Sequence, residues 1–155
     1  MTARDFFDRV RDASQDAERC RTQLLTLESR ALSLGGGGFG QRVSSTHDPQ
    51  RQQVRSNAYM DREEALRRRQ AEDYDVIDAA SVVLYGDDTR DGMDKAVSQV
   101  WADVLWWRYL GCAKWATVHE AVHYSVRQCQ VFKDAALAWM DETEFAADIV
   151  DGIYR

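Results

Sequence analysis

The stretch that most limits what this chain can fold into is its first. From Arg4 to Leu34, apolar residues at Phe6, Phe7, Val10, Ala13, Ala17, Cys20, Leu24, Leu27, Ala31 and Leu34 recur in steps of three and four, with charges between them. That period is helical, and the stripe is narrow, as in a coiled-coil seam. Gly35-Gly36-Gly37-Gly38 ends the helix, since each glycine costs about 1 kcal/mol relative to alanine. No Lys-Ser or Lys-Thr follows the glycines and no strand precedes them, so they read as a hinge and not as a phosphate cradle. Phe39 to Gln53 is predicted as polar loop, with Asp48-Pro49 a turn signal and His47 an exposed loop histidine. A second helix is predicted from about Val54 to Tyr85 through Ala58, Ala65, Leu66, Tyr74, Ile77, Ala80 and Leu84. Two such helices joined by a glycine-rich loop should fold back as an antiparallel hairpin, pairing with each other and with another chain. Arg67-Arg68-Arg69 lies among Glu63, Glu64, Glu72 and Asp73 at helical spacing, the pattern of a solvated, salt-bridged face.

With one proline in 155 residues and no strand-like alternation, the expected class is all-α. A hydrophobic content of 45% supplies a core, made bulky by five tryptophans. No run reaches the ~18 apolar residues of a membrane span, and the charged N-terminus is not a secretory signal. Three widely spaced cysteines fit a reducing cytoplasm better than a disulfide framework.

After Gly86-Asp87-Asp88-Thr89 a third helix is predicted over Met93 to Leu110, carrying Val97, Val100, Trp101, Val104, Leu105 and Trp106. A short amphipathic helix follows with Trp115, Val118 and Val122. The pattern breaks at His123-Tyr124-Ser125 and resumes in a new phase at Cys129, Phe132, Ala136, Leu137 and Met140. Ser125 with Gln128 three residues on predicts a capping box. Helix, tight turn and longer helix is the pattern of a helix-turn-helix. In that reading the second helix offers Val126, Arg127, Gln128, Gln130, Val131 and Lys133, with Ser125 and Lys114 beside it. Arg and Gln pair bidentately with guanine and adenine edges, and Lys takes phosphate. The net charge of −6 opposes generic DNA binding. The acids, however, concentrate at Gly86–Val97 and Asp141–Arg155, and the helix-turn-helix is close to neutral. Such a module needs dimerisation or a partner to bind tightly.

The same residues hold a competing motif. His119-Glu120-Ala121-Val122-His123 is a literal H-E-x-x-H, which on a continuous helix holds zinc with two imidazoles and uses Glu120 as general base. Glu142 or Glu144 is available as a third ligand. Zinc requires the helix to run through His123, whereas the helix-turn-helix requires it to stop there. Nothing upstream reads as the sheet that frames such a helix in zinc peptidases.

The N-terminal hairpin, the glycine-rich loop and the residues Asp103, Leu105, Arg108, Tyr109, Leu110, Trp115, Val118, Tyr124, Ser125, Arg127, Gln128, Ala136 and Leu137 resemble a phage-encoded family. It is related to the ArpU and RinA type of late transcription regulators, with a C-terminal end like region four of sigma factors. His119 stands where that family usually has a small residue, and His123 where it usually has Gly. The resemblance implies a helical hairpin over 1–85 (glycine-rich loop at 35–53), a sigma-like helix-turn-helix over 91–140 and an acidic tail over 141–155. It implies double-stranded DNA as ligand, RNA polymerase as a further partner and a role in phage gene expression. A DNA-packaging or assembly adaptor would join the same two parts. The remaining expectations are a homo-oligomer in the bacterial cytoplasm, no membrane, no cofactor and no enzymatic activity.

Overall fold

The computed structural model describes residues 1–35 and 49–153. The glycines from Gly36 onward, the polar stretch with His47 and the last two residues lie outside them. Among the described residues there are helices and no strands: α1 (Ala3–Gly35), α2 (Pro49–Tyr85), α3 (Met93–Ala96), α4 (Gln99–Leu105), a π-helical turn (Trp106–Leu110), α5 (Trp115–Val122), α6 (Val126–Thr143) and α7 (Ala147–Gly152). The expected all-α class holds. Also among the described residues, no helix is long and apolar enough to cross a membrane.

Two compact units divide the chain, one of Met1–Asp16 with Asp73–Arg155 and the other of Ala17–Glu72. The expected boundary after residue 85 is therefore not where the compact units part, because the ends of both long helices belong with the C-terminal helices. The larger unit is built on Phe6, Phe7 and Val10 of α1, Val83 and Leu84 of α2, Met93, Leu105, Tyr109, and Leu137 and Met140 of α6. Phe7 stacks on Phe6 and Tyr109 with ring centroids 5.1 and 5.3 Å away. Aromatic pairs of this geometry add about 0.5–1.5 kcal/mol beyond the area they bury. Asp141 accepts the Ala3 N–H at 2.7 Å, satisfying one of the unpaired donors that open α1. Residues 141–153, the acidic tail of the sequence, belong to the larger unit and include the short helix α7. Glu144 and Ala146 turn the chain with φ of 51° and 57°, and Val150 is buried, with Phe145, Ile149 and Ile153 packed beside it.

Several boundaries differ from the periodic reading. α2 starts at Pro49, because proline fits the first helical position, where no N–H is needed. Residues 49–53 are thus helix and not loop. The expected Met93–Leu110 helix is three pieces. Ser98 is extended (φ −164°, ψ 128°), and the N–H groups of both Val97 and Ser98 donate to Met93 O. Beyond Leu105 the chain winds wider, with Gly111 N–H reaching back to Trp106 O at 2.9 Å, while Trp106 and Trp107 pack edge to face at 5.1 Å. One extra residue per turn is a π-bulge, which shifts every later side chain around the helix axis.

The smaller unit holds the second half of α1 beside the first half of α2, with Arg62 donating to Gln23 at 3.1 Å. Arg67 and Arg68 pair with Glu63 and Glu64 at 2.7 and 3.3 Å, the solvated face that the spacing predicts. Ala17, Cys20 and Leu66 are buried here, whereas Leu25, Leu32, Val54 and Met60 are exposed. Ala58, Ala65 and Tyr74, expected in the α2 stripe, are exposed as well.

Candidate nucleic-acid interface

α5, the turn and α6 close on a small core of Val104, Val118 and Cys129, flanked by Trp107, Trp115, Val122 and Phe132. The turn has a defined cause at each end. His123 caps α5 in the left-handed region (φ 60°, ψ 34°), its N–H bonded to His119 O at 3.0 Å. Ser125 then opens α6. Its hydroxyl accepts Gln128 N–H at 3.2 Å, and Gln128 Oε1 accepts Ser125 N–H at 3.3 Å. Tyr124 lies between them, its ring edge-on to Phe132 at 5.1 Å. Burial raises the Cys129 thiol pKa, so this cysteine stays protonated and acts as a small apolar residue.

Arg127, Gln128, Gln130 and Val131 are exposed, together with Lys114 and Ser125, and Val126 is 36% exposed. Lys133, expected at the surface as a phosphate ligand, departs from that expectation. It stands four residues after buried Cys129, so it lies on the core edge of α6. Its side chain is only 19% exposed, lies over the Trp115 ring at 5.7 Å and pairs with Asp134 at 3.2 Å. Gln128 is constrained too, because its amide oxygen belongs to the capping box. Bidentate pairing with adenine needs that oxygen and the amide nitrogen together, and would cost the cap. Arg108, named above only through the family resemblance, is placed by the structure beside this face. It lies 4.8 Å from the Trp115 centroid and donates to Ala113 O at 3.0 Å, so it braces the entry to α5. The π-turn sets that position, and linear spacing carries no sign of it.

The helix carrying the H-E-x-x-H motif ends at Val122, with His123 already in the reversed conformation. Among the described residues, the ligand atoms of His119, Glu120, His123 and Glu144 do not gather three together within 4.8 Å. Comparison of the chain with family models, curated proteins and solved structures finds no match.

Two predictions arise at this turn. Ser125→Ala should destabilise the protein by about 1 kcal/mol through loss of the cap, read as a lower urea midpoint. His123→Gly should stabilise the protein by about 0.5–1 kcal/mol, read as a higher urea midpoint, since glycine takes the left-handed conformation without strain. An unchanged or lower midpoint would mean that the imidazole makes a contact outweighing its backbone cost.

Proposed function

We propose that α5 and α6 act as a helix-turn-helix that binds double-stranded DNA. In this reading the chain is a regulator of the phage late-transcription type, joined to a second copy through its long helices. The observation that carries the reading is the turn itself. A left-handed residue stops α5, a capping box starts α6, and Arg127, Gln130 and Val131 stand exposed within the first two turns of α6. Those are the positions from which a recognition helix meets base edges in a major groove. Val131, 57% exposed, suits the methyl group of a thymine. Few cations surround this face, so few phosphates are neutralised, which keeps the electrostatic affinity and its salt dependence modest and favours two modules acting together.

Selection of binding sites from random duplex DNA at low salt tests the reading directly. The expected result is an enriched motif of limited length whose affinity falls only gradually as salt rises. Failure to enrich any sequence, with stoichiometric zinc that His119→Ala and His123→Ala remove, would sink it in favour of the metal-site reading. Ring-shaped assemblies seen by light scattering, without sequence preference, would move the same fold to a packaging or assembly role.

A further inference from the structure

The smaller unit is incompletely closed. Two helices side by side bury Ala17, Cys20 and Leu66 but leave Leu25 56% and Leu32 71% exposed. A shallow groove of about 210 Å³ runs along the pair, lined by Arg21, Leu24, Leu25 and Glu28 of α1 and by Glu63 and Arg67 of α2. Its α1 edge has an internal symmetry. Leu24 and Leu25 are its centre, and Arg21 and Glu28 stand equally far on either side with opposite charges.

We propose that this edge is self-complementary and docks a second copy of the chain, α1 antiparallel to α1, on a two-fold axis passing between Leu24 and Leu25. The axis sets Leu24 of each copy against Leu25 of the other. It also brings Arg21 of each copy to Glu28 of the other, at both ends of the contact. An isologous interface requires this of a single patch, namely that it match itself after a half-turn. A parallel arrangement would instead stack Arg21 on Arg21 and Glu28 on Glu28, a like-charge penalty at each end. Among the described residues Arg21 pairs at 3.4 Å with Glu18 at the surface, both side chains more than half exposed, so its guanidinium remains available to a partner. On α2, the 2.7 Å bond between Arg67 and Glu63 neutralises the two charges that would otherwise meet across the axis. The inference rests on the long helices being the oligomerisation element and not on DNA being the ligand.

The test is sedimentation equilibrium on the full chain across a concentration series. The parent, Arg21→Glu, Glu28→Arg and the double variant would be compared, with helicity by circular dichroism as the folding control. Both positions are exposed and seven residues apart on one helix, so the two side chains do not meet within a chain. Each single reversal should weaken the dimer about tenfold by setting like charges together at two symmetric places. The double variant should recover to within roughly threefold of the parent, because the pair is restored with its signs exchanged. Leu25→Gln, which leaves the charges alone, should also weaken it. A monomeric parent would overturn the proposal, as would a dimer indifferent to the single reversals. Weakening without rescue in the double variant would overturn the antiparallel register.

Discussion

Gly92→Ala should destabilise the protein by about 3 kcal/mol or more and lower its melting temperature by roughly 10 °C. A methyl group at this position would stand 2.3 Å from Gly86 N, 2.4 Å from Tyr85 C and 2.5 Å from Tyr85 N. These are backbone atoms at the end of α2, so no side chain can swing aside to make room. The obstruction is mutual. Gly86 has φ +76°, and a Cβ there would meet Arg90 O at 2.4 Å and Gly92 N at 2.6 Å. The two glycines therefore cross where α2 hands over to α3, and the bridge between Gly86 and Asp91 closes the loop. Displacing Gly92 also displaces Met93, which is fully buried in the main core. Gly152→Ala is the control, since a Cβ at that glycine meets nothing within 4 Å. Thermal unfolding of the three proteins decides the matter, and a Gly92→Ala protein that melts with the parent would show that this crossing is not tight. Acid should loosen the same loop. The Thr89 hydroxyl and N–H, and then Arg90, hold the Asp87 carboxyl below its ordinary range. Its stabilising contribution is present above the unfolded pKa and is lost as pH falls through the lowered folded value.

How much of this was legible in the sequence follows the range over which each feature is determined. The Ser125 cap is set by residues three apart. Such signals survive in the linear chain. The end of α5 was also readable, because the apolar stripes of α5 and α6 do not share one phase. The break at Val97-Ser98 and the π-turn were not, since Val97, Val100, Trp101, Val104 and Leu105 keep helical spacing straight through them. What linear spacing does not carry is that the adjacent Trp106 and Trp107 pack against different clusters, Trp106 on the main core and Trp107 on the small core of α5 and α6. In α2 the alanines misled, because Ala58 and Ala65 suit a core or a surface equally well. Lys133 was misread for a related reason. Its charge suggests solvent, while its register sets the ammonium group over the Trp115 ring, 5.7 Å from the centroid.

At the proposed DNA face, replacing Arg127 and Gln130 together by alanine should abolish most sequence discrimination. Each bidentate base contact is worth about 1–3 kcal/mol, so the preference for a selected site over a scrambled one should fall by roughly two orders of magnitude for the pair. Affinity for scrambled DNA should change far less, because phosphate contacts dominate it. Gln128→Ala should behave differently despite lying between them. Its amide oxygen is bonded to Ser125 at the start of α6, so its loss should lower stability by about 1 kcal/mol and leave the preference within a few fold of the parent. Lys133→Ala separates a phosphate ligand from a packing residue. A ligand would reduce the salt slope by about 1. A cation held against Trp115 should leave the slope intact and lower stability instead. Fluorescence anisotropy with selected and scrambled duplexes over a salt series reads all of these at once. If the Arg127/Gln130 variant kept the parent's ratio of affinities, α6 would not be the reading helix, however well its cap and turn are formed.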